Sequence, residues 1–429
     1  MFDYKKLPLE NGAYIDCIKC DKFRFSLVCI TLLLGKLTLS EKKALYVLCT
    51  MMERSSARCP SPSTFDVAVG MLYNAMVSFG FSEERDGDVL MTASIDFVGG
   101  ALFGEPLMEP ALDFMCECMR NTVIGTDDFD GVFFDTIDYI RGNILGDSGD
   151  PETFASLRYS DFSDIRLKGI SSLLSFEEKQ TIPETVSRED VATVYEQLRK
   201  AAVVYAFYIG VDEPQAVTDA IKNRFDRFGC FVSSIGTLYN GETVSVSDGP
   251  LGNMTRMYMG FSHSVSRAVA VMLASYLGAC PQSRLFTVLR EEKRYCYSVS
   301  AYCSAPEIIT VSASVSPKTE DAARDVVLEI VNEAASRIDP VVFKAAKESA
   351  ILTAREVFDS RNLCESCCFS AYIRQRENPF SLADELMSVT EDDIIAAAGS
   401  LRLSLDYTCK GNSQTASRRG YTKGAWIDG

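Results

Sequence analysis

Histidine is almost missing from this 429-residue chain, whose one histidine is His263. A His-Glu-x-x-His or His-x-x-Glu-His motif needs two histidines, and hydrolytic zinc sites commonly use at least two imidazoles. Neither motif can therefore be written anywhere in the sequence. His263 lies in Gly260-Phe-Ser-His-Ser264, where a strand pattern gives way to a helix pattern, and it is interpreted as a loop or helix-start residue.

An excess of positive charge is also missing, because the formal net charge is −16. Nucleic-acid binding relies on clustered Lys and Arg, so that class is disfavoured. The strongest apolar run, residues 26–34, is far shorter than the ~20 residues of a membrane-spanning helix, and residues 1–11 lack the pattern of a signal peptide. These absences predict a soluble, cytoplasmic protein that binds neither nucleic acid nor membrane.

Cysteine, in contrast, is plentiful, with 15 residues. Their odd number and their positions within apolar stretches favour reduced, buried thiols over disulfides. Cys17-x-x-Cys20 and Cys364-x-x-Cys367 have metal-ligand spacing and could together supply a four-thiolate zinc site. Because residues 13–20 alternate like a strand instead of forming a tight knuckle, inert thiols are favoured over structural zinc and over redox chemistry.

Gly146-Asp-Ser-Gly-Asp150 looks like the loop of a serine nucleophile. Such a serine needs a histidine base within hydrogen-bond reach, and the one histidine lies in the other half of the chain. The segment follows a predicted helix at 129–145, so it is interpreted as the end of that helix. An autonomous hydrolase would need a nucleophile that this sequence does not offer.

The length exceeds the ~250–300 residues at which a single core stops growing, so two domains are predicted. Their sequences contain repeats. Ser187 stands three residues before an aspartate and precedes a helix and a strand at 201–210, while Thr390 does the same before a strand at 401–411. This spacing is typical of a capping box at the start of a helix.

Two further pairs recur in the same order: Thr92-Ala-Ser-Ile-Asp96 with Ser312-Ala-Ser-Val-Ser316, and the helix starts Phe129 and Phe343. The three correspondences predict a tandem duplication of an α+β sandwich domain, with an antiparallel or mixed sheet and helices on one face. The first strands are predicted at 13–20, 25–34, 77–82 and 89–97. We expect domains at 1–228 and 253–411, a Gly/Ser/Asn-rich linker at 229–252 and a loose tail at 412–429.

The most specific pattern lies between residues 280 and 299. Ser283-Arg-Leu-Phe286, Leu289-Arg-Glu291 and Tyr297-Ser-Val299 resemble the C-terminal-domain signature of the pitrilysin/insulinase peptidases, a family that includes mitochondrial processing peptidase and the cytochrome bc1 core proteins. A predicted helix at 266–278 and a predicted strand at 308–315 fall where that family places them. Order and spacing are compatible over essentially the whole chain, although the first half resembles the family only by pattern.

The resemblance implies a subunit without catalytic activity of its own. Active members carry His-x-x-Glu-His in the first helix of the N-terminal domain, and a downstream glutamate completes the zinc site. The matching helix here, at 40–54, has no histidine, and Asp135 and Asp138 near the downstream position have no metal partners. No cofactor is therefore expected on this chain, and zinc is expected in a partner.

Arg290 and Tyr297 match the Arg and Tyr that the family's non-catalytic half presents to a substrate at the zinc. A guanidinium and a phenol can donate hydrogen bonds to a peptide carbonyl as negative charge develops on it. The alternative for the same residues is a surface arginine paired with Glu291 or Glu292 and a tyrosine packed in a strand.

The resemblance implies one half of a clam-shell, acting as the non-catalytic subunit of a two-chain zinc metallopeptidase. Such a subunit closes the chamber and helps to bind an extended peptide, for which strand addition at a sheet edge is one route. The expected partners are a homologous zinc-bearing subunit and the peptide substrate, with a homodimer left open. The alternative function is a structural or interaction scaffold without a role in proteolysis, as in the bc1 core proteins.

Overall fold

The structure, a computed structural model, describes residues 2–84, 86–100, 104–164, 174–233, 241–305 and 307–412. Most of the predicted tail at 412–429 therefore lies outside the described residues. The strands are β1 (Asp3–Pro8), β2 (Tyr14–Lys19), β3 (Phe25–Lys36), β4 (Met76–Glu83), β5 (Asp88–Val98), β6 (Ala202–Gly210), β7 (Val244–Asp248), β8 (Thr255–Ser262), β9 (Cys296–Ala305), β10 (Ile308–Val315) and β11 (Arg402–Cys409).

The α-helices are α1 (Leu39–Met52), α2 (Pro62–Met71), α3 (Met108–Arg120), α4 (Phe129–Gly149), α5 (Pro151–Ser163), α6 (Phe176–Gln180), α7 (Ile182–Thr185), α8 (Arg188–Leu198), α9 (Pro214–Lys222), α10 (Arg267–Ala274), α11 (Glu320–Ala334), α12 (Pro340–Arg355), α13 (Arg361–Ile373), α14 (Leu382–Ser388) and α15 (Glu391–Ser400). Two π-helices, Ser275–Ala279 and Phe286–Glu292, and a 3-10 helix, Glu356–Asp359, complete the set of described helices. The α+β class that the sequence predicts is confirmed.

The chain divides into two compact units, each built from three segments. Unit 1 contains Met1–Gly146, Ile170–Gly236 and Glu356–Phe380. Unit 2 contains Asp147–Gly169, Thr237–Arg355 and Ser381–Gly429. Each unit therefore takes one segment from the part of the sequence that otherwise builds the other.

The sheets of the two units share one strand order. The sheet of unit 1 runs β1-β2-β6-β3-β5-β4, and that of unit 2 runs β7-β11-β8-β10-β9. With β1 set aside, each begins with a parallel pair, β2 with β6 or β7 with β11, and the remaining neighbours are antiparallel. The common topology is the one that the ordered sequence correspondences predict. β7 lies within the stretch that composition indicated as the linker.

The two predicted capping boxes are present at equivalent places in this topology. Ser187 Oγ accepts from the backbone N–H of Asp190 at 3.2 Å, at the start of α8. Thr390 Oγ1 accepts from the backbone N–H of Asp393 at 3.2 Å, at the start of α15. Each helix leads directly into one strand of the parallel pair, β6 in unit 1 or β11 in unit 2.

Both faces of the sheet in unit 1 are covered, which the sequence pattern did not indicate. Val28, Ile30 and Leu32 of β3 pack with the helices α1, α3 and α8, while the alternate residues Leu27 and Cys29 pack into a second cluster. Successive residues of a strand point to opposite faces, so the second cluster lies on the other side of the sheet. This is why a long stretch of β6 is buried on both faces.

The second cluster is covered by α13, a helix from late in the chain. Cys364, Cys368 and Tyr372 form its buried stripe at a spacing of four residues. The ring of Tyr372 stacks on Tyr205 with centroids 4.5 Å apart, and its hydroxyl donates to the Val204 carbonyl at 3.2 Å. An amphipathic stripe predicts that a helix packs against something, but not against which sheet, so α13 could not be assigned from sequence.

In unit 2, the corresponding second face is covered by α5. Tyr159 of α5 stacks on Tyr258 of β8 at 4.9 Å, and its hydroxyl lies 2.6 Å from Thr310 Oγ1 of β10. The segment 146–150 contains the end of α4, as interpreted, although α4 continues to Gly149, four residues beyond the predicted end at 145. Asp150 then caps α5, accepting from the N–H of Thr153 at 2.7 Å.

Candidate functional site

The segment that resembles the peptidase signature, residues 280–299, follows one π-helix of unit 2 and contains a second. α10 passes into the first one, Ser275–Ala279, so the helical stretch predicted at 266–278 is present with an altered last turn. A Cβ on Gly278 would lie 2.6 Å from the backbone nitrogen of Ala301, so only glycine allows this turn to approach β9 so closely. Single π-turns inside helices occur frequently at functional sites.

The second π-helix, Phe286–Glu292, carries Arg290. Leu285 and Leu289 are fully buried, which fixes the inner side of this helix and leaves Arg290 on the outside. Arg294 adopts a left-handed conformation with φ of 57°, and the next N–H, of Tyr295, donates to the Leu289 carbonyl at 2.9 Å. This closed turn leads directly into β9, the strand that contains Tyr297.

Arg290 is half-exposed and only weakly paired. Its guanidinium lies 4.8 Å from the centre of the Phe286 ring. Its Nε is 3.8 Å from the Glu291 carboxylate, at the long end of the range for an ion pair, and both side chains are largely in solvent. Burial raises the pKa of the Cys296 thiol to about 11, and the charge of Arg290 opposes that rise, which indicates that the guanidinium lies near the start of β9.

Tyr297 is the extra residue of a β-bulge. Cys296 pairs with Val315 and Ser298 pairs with Ser314, so Tyr297 has no partner in β10. β9 is the last strand of its sheet, and the Tyr297 side chain is 77% exposed. Bulges are over-represented at sheet edges and next to active sites, where they turn a side chain away from the regular pleat.

Arg290 and Tyr297 thus lie on the two sides of one closed turn, both directed away from the core of unit 2. The buried leucines of the π-helix fix the orientation of Arg290, and the β-bulge leaves Tyr297 without a pairing partner in β10. The guanidinium of Arg290 and the phenol of Tyr297 are both hydrogen-bond donors. Among the described residues, no carboxylate lies in close contact with either group. The resemblance to the peptidase signature singled out this pair, but the π-helix and the bulge have no sequence signal that would have predicted them.

The first long helix of unit 1, α1, does not fit a zinc ion. Its buried positions include Leu45, Leu48 and Cys49, which have the i, i+3, i+4 spacing of a helical metal motif. Two are aliphatic, and burial raises the pKa of the Cys49 thiol, whereas zinc needs the thiolate. Within the described residues, no group of three or more His, Cys, Asp or Glu side chains could hold a metal ion.

The downstream acids are on the surface of α4. Asp138 is exposed and pairs with Arg141 at 2.6 Å, one turn along the same helix. Asp135 is also exposed. Both therefore belong to the solvated face of α4, as their lack of metal partners in the sequence suggested.

His263 lies in the loop between β8 and α10 and is buried, with 2% of its surface exposed. Neither ring nitrogen has a hydrogen-bond partner. Burial lowers the pKa of the imidazole, and the nearby charge of Glu307 opposes this only in part. A neutral ring without partners has nothing to orient it as a catalytic base.

The two cysteine motifs approach one another in unit 1. Cys20, Cys364 and Cys368 share the hydrophobic cluster beneath α13. Burial raises the pKa of Cys17 and of Cys364 to about 12, so both are thiols near neutral pH. Their proximity is explained by packing of small apolar side chains between sheet and helix.

A cavity of about 720 Å³ in unit 1 is lined by several cations. Arg120 and Lys222 are the last residues of α3 and α9, and Arg199 caps the end of α8. Cations are favourable at helix C-termini, where backbone carbonyls concentrate negative potential. Arg224, on the same wall, is neutralised by Asp113 at 2.7 Å. The helix ends account for this charge, and no anion site is assigned.

Glu53 is a residue with a specific contact that the sequence did not indicate. It follows α1, and its Oε1 accepts from the backbone N–H of Phe79 at 2.8 Å and from Ser78 Oγ at 3.2 Å. The contact joins a helix end to the middle of β4. Because the two residues are 26 positions apart, no local sequence pattern predicts this contact.

Comparison with known proteins begins with the family model described as the peptidase M16 inactive domain, which matches residues 185–350. No curated protein matches the chain. None of the helices in the described residues combines the length and the apolar composition that a membrane span requires.

Solved structures share the fold over nearly the whole chain. A conserved protein from Enterococcus faecalis V583 has a TM-score of 0.80 at 14% identity, with 96% of this chain and 99% of that chain covered. The peptidase M16 inactive domain from Pseudomonas fluorescens has 0.66 at 11%, covering 96% and 98%. A chain of complex III2 from Candida albicans has 0.68 at 14%, covering 95% of each.

Proposed function

We propose that the chain, whose residues 185–350 match the model of the peptidase M16 inactive domain, belongs to the M16 peptidase family and is the non-catalytic subunit of a two-chain zinc metallopeptidase. It closes a chamber with a homologous zinc-bearing subunit and helps to hold the peptide there. Hydrolysis is performed by the partner, since the one histidine of this chain cannot form a zinc motif that needs two.

The observation that carries the proposal is the presentation of Arg290 and Tyr297. Tyr297 is directed outward by a bulge, and Arg290 stands outside a helix whose buried stripe fixes its orientation. Donors held on rigid elements lose little freedom when they bind a developing oxyanion, which makes them effective in stabilising it. In this proposal, both donate to the peptide carbonyl under attack at the partner's zinc.

Extended peptide would be held next to this pair. β9 is the terminal strand of its sheet, and Tyr297 stands at its beginning. A terminal strand can accept an added strand through backbone hydrogen bonds, and side-chain pockets then supply selectivity. A peptide paired here would pass beside Tyr297 without any rearrangement of the strand.

A scaffold role is the second candidate, and the fold shared with a chain of complex III2 from Candida albicans favours it. A scaffold has no use for an exposed tyrosine and a loosely paired arginine side by side. Substitution of these two residues therefore separates the two functions.

The test uses this chain assembled with a zinc-bearing M16 chain from the same genome. Arg290→Ala and Tyr297→Phe should each slow peptide hydrolysis by roughly 10²–10³, as loss of an oxyanion donor does. Matched controls are Lys293→Ala, which removes an exposed cation from the same turn, and Tyr302→Phe, on the same strand. Unchanged turnover in intact complexes of both variants would leave the scaffold as the better account.

A further inference from the structure

The terminal strand of the sheet in unit 1, β4, presents a line of backbone groups on its outer side. The N–H of Phe79 donates to Glu53 and so points away from β5. In an antiparallel pair, alternate residues direct both backbone groups toward the neighbour and away from it. Val77 and Phe81, two residues to either side, therefore also direct their N–H and C=O groups outward.

Composition does little to protect this edge. The strand reads Met76-Val-Ser-Phe-Gly-Phe-Ser-Glu83, without Lys, Arg or Pro. Natural edge strands are usually blunted by such residues, and an uncharged run such as residues 76–82, which precede Glu83, pairs readily with other strands. Met76 and the neighbouring Met71 of α2 are exposed large apolar side chains, so an added strand would also gain apolar contact.

Glu53 is the side chain that interrupts the edge. It caps α1, its own N–H bonding to the Cys49 carbonyl at 3.2 Å, so its backbone is fixed. Its carboxylate oxygen accepts from Phe79 where the carbonyl of an added strand would accept. Because Phe79 is the middle one of three outward residues, an added strand would lose its central hydrogen bond and meet a charged side chain.

The equivalent terminal strand of unit 2 lacks this device. β9 holds the same place in the topology as β4. Over Cys296–Cys303, all of which the structure describes, no side chain accepts a hydrogen bond from a backbone N–H of the strand. The cap is thus specific to one of two edges that the shared fold makes alike.

We propose that Glu53 closes the β4 edge of unit 1 to an extended peptide, its carboxylate occupying the place of a strand carbonyl at Phe79. The outward backbone groups of β4 would pair with an added strand, and the Glu53 carboxylate prevents this pairing at Phe79. Removal of that side chain opens a second peptide-binding edge in unit 1. The inference does not depend on Arg290, on Tyr297 or on a zinc-bearing partner.

The test measures binding of a labelled synthetic peptide with the sequence of β4, residues 76–83, to the full chain. Glu53→Ala should bind this peptide at least roughly tenfold more tightly than the unsubstituted chain. Glu53→Gln, whose amide oxygen still accepts, should stay closed. The controls are Glu10→Ala, which removes an exposed carboxylate elsewhere in unit 1, and a peptide N-methylated at alternate residues, which cannot pair.

Equal peptide binding by the unsubstituted chain and Glu53→Ala overturns the proposal, and so does binding of the N-methylated peptide. Self-association of Glu53→Ala supports it when the β4 peptide competes with it and contradicts it when the peptide does not.

Hydrogen exchange on the unsubstituted chain gives a readout that does not depend on how the variants fold. The Phe79 amide should exchange more slowly than the amides of Val77 and Phe81. Equal exchange at all three amides overturns the proposal.

Discussion

The guanidinium of Arg290 lies over the Phe286 ring, 4.8 Å from its centre. The two residues stand four positions apart along the second π-helix, so the ring limits the directions in which the guanidinium can point. An exposed cation–π contact contributes about 0.5–1 kcal/mol, equivalent to about 2–5-fold in the population of one orientation. We therefore expect Phe286 to position Arg290.

Phe286→Ala should slow hydrolysis in the assembled complex by about 2–5-fold, through a loosened Arg290. Phe286→Tyr keeps a ring beneath the guanidinium and should retain full turnover. The measurement is steady-state peptide hydrolysis together with Arg290→Ala and the double variant. If Phe286→Ala lowers turnover as much in the Arg290→Ala background as in the unsubstituted chain, the ring does not act through Arg290.

Tyr372 of α13 should be a large contributor to the stability of unit 1. It is buried, stacks on Tyr205 and donates to the Val204 carbonyl. Tyr372→Ala should cost about 3–5 kcal/mol, and Tyr372→Phe about 1 kcal/mol for the hydrogen bond alone. Urea denaturation followed by circular dichroism measures both. The exposed Tyr297→Ala is the control, expected within about 0.5 kcal/mol of the unsubstituted chain.

The capping boxes at the starts of α8 and α15 should contribute similarly to the stability of the two units. Ser187→Ala and Thr390→Ala should each cost about 1 kcal/mol, because each leaves a helix N–H without its acceptor. Denaturation curves of the two variants provide the comparison. A cost at one site and none at the other would show that the two equivalent helices are not held in the same way.

The capping box at the start of α15 should also make the stability of the protein depend on pH. Hydrogen bonds from Thr390 lower the pKa of Asp393 below its ordinary value. Its contribution to stability is therefore present above the ordinary carboxyl pKa and is lost as the pH falls through the lowered one. Thr390→Ala should weaken this acid sensitivity, which denaturation at pH 3 to 6 measures. A pH profile that Thr390→Ala leaves unchanged would contradict the assignment.

His263 should make the protein less stable in mild acid. Burial lowers its pKa from the ordinary value of 6.5, so the unfolded chain takes up a proton that the folded chain does not. The stability that follows from this is present above pH 6.5 and is lost as the pH falls toward the lowered pKa. His263→Leu, which removes two unpaired ring nitrogens, should reduce the loss of unfolding free energy between pH 7.5 and 5.

Much of the fold could be predicted from the sequence, because its strands and helices have strong local signals. The alternation of 25–34 and 89–97, and the caps at Ser187 and Thr390, depend on residues that are neighbours in the chain. Strand bounds agree within about two residues at these places. The repeated order of elements then predicted the shared topology.

Features that depend on distant contacts were not predictable in the same way. α13 packs on a sheet built from residues more than 150 positions earlier, as the bond from Tyr372 to Val204 illustrates. Glu53 meets Phe79 across 26 residues. At the candidate site, the sequence located Arg290 and Tyr297, but the π-helix and the bulge that direct them outward arise from packing against β9 and from the register of β9 with β10.

The most direct measurement of the proposed function is a titration of this chain into a zinc-bearing M16 chain from the same genome, with peptide hydrolysis as the readout. The account predicts no hydrolysis and no bound zinc for this chain alone, and a turnover that rises on mixing and levels off at one chain of each kind. A flat titration would contradict a role in the partner's catalysis. Chelator-sensitive hydrolysis by this chain alone, with one zinc ion per chain, would contradict the whole account.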